Sequence, residues 1–403
     1  MRLALTLALF AGLCLAGCAT GQRTLRVDSP YRDPATLEKG QILHLATGRL
    51  LRREELFDYL AHYPVVYVGE THDNVDDHAV ELAVLEALAE RFPGRLALGM
   101  EMLRRPSQKD VDAYVAGETD EKAFVKVWQE NWGARSFPYY RDILRFARKH
   151  RIPVLALNAG HDLRRAVREQ GLEGLPPEMA ARLPDMDLED PYYRAFTRSM
   201  HEAHPHGSVD AETFHKIQAL WDETMAQTAA AYLGGEPGRR LLVLAGGNHV
   251  RYGFGIPRRV FRRVPVPYAI LSPVTVEYPE DKLDRLMDVD LPELPLPPAD
   301  VFWAVGYEDL EDRQVMLGVH IEDVEEGGGV RVLGVIPESP AAQAGIRVGD
   351  VIVAADGEPV AQAFDLTYRV SLHGPGDQGS VEVVRQGERL RLAVVYQVVR
   401  HGR

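Results

Sequence analysis

The chain has 403 residues, 46 % of them hydrophobic, and carries 59 acidic against 46 basic side chains for a net charge of −13. The acidic excess is spread along the chain, which excludes a nucleic-acid surface, because phosphate binding needs clustered Lys and Arg. The length predicts two or three domains, and the only cysteines, Cys14 and Cys18, exclude a disulfide framework and Cys-ligated zinc or iron–sulfur centres in the mature protein.

The chain opens MRLALTLALFAGLCLAGCAT, with Arg2 ahead of an apolar run over residues 3–15. A basic start and a short apolar core form a secretory signal, and about 13 apolar residues fall short of the ~20 that a spanning helix needs. Leu15-Ala16-Gly17-Cys18 resembles a bacterial lipobox. The reading is a signal peptide over 1–17, acylation and membrane attachment at Cys18, and a polar tether over 18–40. Ala19 after the cysteine points to the outer membrane, with the body facing the periplasm.

Residues 41–285 alternate strand-like and helical patterns. Apolar runs at 65–69 (VVYVG), 95–100 (RLALGM), 152–157 (IPVLAL) and 240–245 (RLLVLA) are separated by helical periods at 75–91, 106–116, 139–150, 161–170 and 211–233. That is the pattern of an α/β domain with a largely parallel sheet flanked by helices. Asp73 or Asn74 is expected to cap the helix after the first strand, with Asp76 and Asp77 in its first turn.

Polar residues follow each strand: Glu70 and His72, then Glu101, then Asn158, then His249 and Arg251. In an open parallel sheet all strand C-termini share one edge, where ligands bind, so these four segments converge on a candidate site. On the helix 211–233, Gln218, Asp222 and Met225 share one face and form a candidate second wall. Residues 185–208 show no clear period and hold Tyr192, Tyr193, Met200, His201, His204 and His206. The stretch reads as a lid or binding loop, and its three histidines suggest a metal ligand set as readily as an exposed polar loop.

LPELPLPP at 291–298 has four prolines in eight residues, the composition of a semi-rigid spacer, and 286–312 is read as a linker. A compact, mostly β domain is expected over 313–398.

Four ordered motifs carry a resemblance: GETHDNVDDH (69–78), GMEM (99–102), FHKIQALWDETMA (214–226) and AGGNHVRYGFGIP (245–257). Together they resemble the ChaN-like haem-binding lipoproteins of the Tiki superfamily over roughly residues 50–275. The resemblance implies a parallel-sheet α/β domain, a role in haem uptake, and haem held at a dimer interface with tyrosine on the iron. Carried over residue by residue, it marks Glu70, His72, His78, Glu101, Asn158, Gln218, Asp222, His249 and Arg251 as motif positions. No motif fixes the ligating tyrosine; Tyr139 or Tyr140 fits best, with Tyr192 or Tyr193 next. Tyrosinate is a known haem ligand, and Arg135, Arg141 or Arg251 suits a propionate. An alternative stands beside this one. Glu70, His72, Glu101 and His249 also suit a divalent metal and an activated water, as in the hydrolases of the Tiki and erythromycin-esterase type.

Residues 313–398 resemble a PDZ domain of the bacterial protease-associated kind, carried by MLGVHI (316–321), VIPESPAAQAGI (335–346), RVGDVIV (347–353) and DGEPV (356–360). The backbone of Leu317, Gly318 and Val319 is expected to receive the C-terminal carboxylate of a protein partner, with the next strand pairing to the peptide. A second helix over 364–372 would present Thr367, Tyr368 or Ser371 to the same groove.

Overall fold

The structure is a computed structural model and describes residues 33–133, 135–202, 209–285, 296–324 and 328–398. The signal peptide, Cys18, all but the end of the tether, His204, His206 and residues 286–295 of the linker lie outside the described residues.

An eight-stranded sheet forms the large domain. Its strands are β1 (Ile42–His44), β2 (Arg49–Leu51), β3 (Val65–Glu70), β4 (Leu96–Arg104), β5 (Val154–Asn158), β6 (Arg240–Gly246), β7 (Tyr268–Glu277) and β8 (Val301–Gly306), in the order β2-β1-β8-β7-β3-β6-β4-β5. From β8 to β5 every pairing is parallel; the hairpin β1–β2 joins antiparallel to β8. The interior strands are buried on both faces, so they read as unbroken apolar runs. Helices Arg53–Ala61, Val75–Arg91, Gln108–Ala116, Glu121–Trp132 and Phe137–His150 cover one face with Leu56, Val84, Trp128 and Tyr140. Helices Ala211–Gly235 and Ile256–Arg263 cover the other with Met225, Ala229, Ile256 and Val260.

All four expected strands form, within a few residues of their expected bounds, and helix Val75–Arg91 starts at the expected N-cap, the Asn74 side chain accepting from Asp76 N (3.2 Å). Other expectations need correction. Val301–Gly306, assigned to the linker, is β8, an interior strand hydrogen-bonded to β1 and β7; the prolines stop at Pro298, and VFWAVG is a buried apolar run. The stretch 185–208 is not a loop throughout: helix Pro191–Glu202 occupies its middle and buries Tyr193, Phe196, Thr197 and Met200. Strands β7 and β8, the hairpin and helix Glu121–Trp132 had no counterpart in the sequence reading.

The second sheet runs β14 (Glu388–Val395), β13 (Gln378–Arg385), β11 (Val351–Ala355), β10 (Val330–Val335), β9 (Val319–Asp323), with β12 (Glu358–Pro359) paired to β11. All its pairings are antiparallel, and β9 forms an edge. Helix Ala363–Val370 packs beside it, with Leu366 and Val370 in a core of Val330, Ile352, Val381 and Val383. The same helix docks the small domain on the large one. Phe364 and Tyr368 pack against the large core, Lys122 pairs with Asp365 at 2.7 Å, and Arg141 donates to Ser371 O (3.2 Å) and Oγ (3.3 Å). Tyr368 and Ser371 therefore serve the domain contact as well as lining the groove.

Candidate functional site

At the C-terminal edge of the large sheet, β3 leads to a helix on one face and β6 to helices on the other. A crevice opens between such strands, and Glu70 sits opposite Gly246 across it. Eight of the expected residues meet there. Glu70, the last residue of β3, is buried, accepts from Tyr140 Oη (2.8 Å) and His72 Nδ1 (2.9 Å), and faces His78 Nδ1 at 3.3 Å. Glu101 lies inside β4 rather than after it, accepting from Gly246 N (2.7 Å) and facing His249 Nε2 at 3.3 Å. His249 donates through Nδ1 to Asp222 Oδ1 (2.6 Å), whose other oxygen accepts from Tyr193 Oη (2.6 Å).

The result is two chains of alternating acid and base, Tyr140–Glu70–His72 and Tyr193–Asp222–His249–Glu101. The His72 side chain, 39 % exposed, is the one ring of the pair of chains open to solvent. It also leans on Gly246, where an added Cβ would lie 2.9 Å from its Nε2. Chemically, the arrangement can hold charge and share protons within each chain, and His72 is the solvent-facing end of the first.

Burial works against charge on these histidines, but the carboxylates outweigh it. Glu70 and Glu101 hold His72 up at about 9, Glu70 and Glu81 hold His78 at about 9, and Glu101 and Asp222 raise His249 further. Burial likewise pushes against Glu101, yet His249 and His72 bring it down to about 2. Asp77 is pushed up to about 7 by burial, and Glu81 to about 8 by burial and by Glu70.

The sign for stability follows by linkage. Groups with raised folded values bind protons in the folded state that the unfolded chain has released, so stability falls as pH rises through that interval. The window runs from the ordinary histidine value of 6.5 to about 9, with Asp77 and Glu81 acting in the same direction. Glu101 adds stability that is lost only as pH falls from 4.5 toward about 2. Thermal midpoints of the full chain are expected to decline steadily from pH 6.5 to about 9; a flat or rising series would show that these protons are not held.

Two residues of this network were not expected from the sequence as participants. Glu81, fully buried, accepts from His78 Nδ1 (2.7 Å) through one oxygen, while the other has no hydrogen-bond partner; buried Asp77 accepts from Thr71 N (2.7 Å). The i, i+3 spacing of His78 and Glu81 on one helix was the available signal. Among the described residues, the group whose donor atoms all lie within 4.8 Å is Glu70, His78 and Glu81. The expected metal set Glu70, His72, Glu101 and His249 is instead divided between the two chains.

Other expected members lie apart. Asn158 ends the edge strand β5 and accepts from its neighbour Ala159 N (2.8 Å). Gln218 is buried on the inward face of its helix, as is Asp222. His201 Nε2 bonds Val209 O (2.9 Å). Of the four candidate tyrosines, Tyr140 and Tyr193 are buried and donate to carboxylates, and Tyr139 Oη accepts from Leu310 N (3.0 Å). The oxygens of Tyr139 and Tyr140, the tyrosines preferred from the sequence as iron ligands, face inward, to the domain junction and to Glu70 respectively.

Tyr192 alone of the four is exposed, at 55 %. Its ring stacks on Phe254 at 6.0 Å, and Phe254 stacks on Tyr252 at 5.6 Å. Tyr252 sits at φ 58°, a left-handed conformation uncommon for a bulky residue. Next to it, the half-buried Arg251 makes no ion pair or side-chain hydrogen bond among the described residues, and burial lowers its pKa.

A family model described as haem-binding uptake, Tiki superfamily, ChaN matches residues 56–260, half of the chain. The chain belongs to the ChaN family. A solved structure of Campylobacter jejuni ChaN, described as showing cofacial haem binding, superposes on the ChaN domain with a TM-score of 0.50 and 16 % identity, over 65 % of this chain and 95 % of that one. The likeness concerns the fold. A PDZ-domain model matches residues 315–395. The chain is 38 % identical over 88 residues to a probable periplasmic serine endoprotease, DegP-like, of Pseudomonas fulva, covering 19 % of this chain and 18 % of that protein. It is 39 % identical over 71 residues to a putative serine protease, HhoA, of Synechocystis sp., 18 % of each. The chain thus spans less than a fifth of the length of these curated relatives.

In the PDZ domain, Gly318 has φ +81°, a conformation that favours glycine. Gly318 O accepts from Ile336 N (2.9 Å) and Ser339 Oγ (3.3 Å). The N–H groups of Leu317 and Gly318 make no hydrogen bond among the described residues, although both residues are buried. Buried backbone donors are ordinarily paired, so this loop has donors to give to a ligand.

Proposed function

We propose that the ChaN domain binds haem beside Tyr192 and Tyr252, whose rings flank the buried Phe254, with the Tyr192 oxygen on the iron. The carrying observation is that Tyr192 is exposed while Tyr139, Tyr140 and Tyr193 have their hydroxyls engaged inside the protein. Family membership supports the ligand class, and the description of Campylobacter jejuni ChaN names cofacial haem binding. The residues fit the group: the exposed Tyr192 ring suits a flat macrocycle, a tyrosine oxygen suits ferric iron, and Arg251 has a guanidinium without a carboxylate partner for a propionate. Bound haem would supply the iron centre; the protein supplies the ring, the oxygen and the cation.

The reading extends to the whole chain: a lipoprotein held in the envelope through Cys18, facing the periplasm, that handles haem during uptake and recruits a protein partner by its C-terminus through the PDZ domain. The lipobox-like LAGC supports the anchor, and the unpaired amides of Leu317 and Gly318 support capture of a carboxylate. Cys18→Ser is expected to move the protein from the membrane to the soluble fraction; unchanged partition would overturn the anchor.

Haemin titration of the full chain followed by absorption spectroscopy tests the central claim. A saturable Soret shift at one haem per chain, with a tyrosinate charge-transfer band, is expected. A response that never saturates overturns it and leaves the strand-end pair His72 and Glu101 as the reactive centre, for which metal-dependent ester and peptide hydrolysis is the assay.

A further inference from the structure

The edge of β9 that does not pair with β10 borders a cleft of about 680 Å³. Its inner wall is the PDZ groove: Leu317, Gly318 and Val319 at one end, then Ile321, and Phe364 and Thr367 from helix Ala363–Val370. Its outer wall belongs to the other domain, where Phe137, Pro138 and Arg141 of helix Phe137–His150 face the groove. An extended peptide paired to β9 would therefore touch both domains along its length.

The outer wall has a definite charge. Arg135, Arg141, Arg145 and Arg313 line the cleft against one acid, Asp142, in a chain whose net charge is −13. Glu121 takes up part of this, pairing with Arg141 at 3.4 Å and Arg145 at 2.5 Å, and Glu308 pairs with Arg313 at 2.5 Å. Arg135 is exposed and makes no ion pair among the described residues. Guanidinium groups held beside an apolar groove select for carboxylates and against cations.

We propose that the peptide groove is a two-domain site, and that its occupant is the free C-terminus of a partner protein whose residues just upstream of the terminal one carry Asp or Glu. The terminal carboxylate meets the Leu317–Gly318 amides, and the acidic side chains meet Arg135 and its neighbours on the ChaN domain. The proposal rests on the C-terminal capture stated in the previous subsection and adds the class of partner and the wall that selects it.

The test is fluorescence anisotropy on the full chain with dye-labelled eight-residue peptides ending in valine. One series carries Glu, Ser or Lys at the third to sixth positions from the end; a second carries a C-terminal amide. The Glu peptide is expected to bind on the order of tenfold more tightly than the Lys peptide, with the difference shrinking at high salt. Arg135→Glu, a surface change that leaves the fold intact, is expected to erase most of that preference. Equal affinity for the Glu, Ser and Lys peptides, or an unchanged preference in Arg135→Glu, overturns the two-domain site while leaving C-terminal capture standing. Equal affinity for acid and amide overturns the capture itself.

Discussion

Replacing Glu223 by alanine is expected to lower the unfolding free energy of the ChaN domain by about 3–5 kcal/mol, the cost of breaking a buried ion pair by removing one partner. Glu223 is fully buried and faces Arg259 Nε at 3.1 Å, Arg262 at 3.0 Å and Arg263 at 2.7 Å, and accepts from Asp187 N at 2.9 Å. Arg262 keeps Asp185 and Asp187 as partners at 3.4 and 3.5 Å. Arg259, 3 % exposed, has no such reserve. Its charge would remain buried with the carbonyls of Phe254, Gly255 and Asp187 and the face of the Tyr193 ring to hold it, but no carboxylate. For a domain of this size the midpoint is expected to fall by about 6–20 °C, read by thermal or urea unfolding. Glu223→Leu combined with Arg259→Met should recover much of the loss, because apolar replacement of a whole buried pair is often neutral. An unchanged midpoint in Glu223→Ala would mean that the cluster carries no net energy.

Tyr192→Phe is expected to remove the charge-transfer band and weaken haemin binding at least about tenfold. The substitution deletes one oxygen and keeps the ring that stacks on Phe254. Because Tyr192 is exposed, its effect on stability should lie within about 0.5 kcal/mol, so a lost band cannot be blamed on unfolding. Tyr140→Phe is the control. It takes a donor from the buried Glu70, which should lower the midpoint but leave the band. If Tyr192→Phe kept the full spectrum, the oxygen on the iron would belong to another residue.

The sequence reading went furthest where one physical rule governed. Residues 65–70 and 240–246 were legible as strands because burial on both faces demands unbroken apolar runs, and the Glu70, Glu101 and His249 convergence followed from the shared strand edge. Lateral order was not legible. Asn158 also ends a parallel strand, but β5 lies at the sheet margin with β4 and β6 between it and β3, and nothing in a strand's own residues reports its neighbours. The burial of Tyr140 was legible as well. Tyr140, Ile143, Leu144 and Ala147 fall on one helical face and are all buried, a spacing that marks a core stripe. The i, i+3 spacing tied Glu81 to His78, but nothing in it marked Glu81 as buried, since a carboxylate in a helix is ordinarily solvated. β8 was hidden by the prolines just before it.

β8 also decides how this chain comes together. It pairs with β1, Ile42 opposite Trp303, so the first strand of the large sheet waits for residues synthesised some 260 positions later. Pairings that remote are slow to form, and until β8 arrives β1 and β7 have open edges of the kind that invite aggregation. The residues after β8 then return to the site: Gly306 O accepts from the Asn74 side chain at 3.0 Å, and Glu308 N donates to it at 3.0 Å, which fixes the start of the helix bearing His78. A truncation meant to free the ChaN domain from its PDZ partner therefore has to be made after Glu308. Cut within the prolines, the chain would lose an interior strand and the clasp on its own site in one stroke.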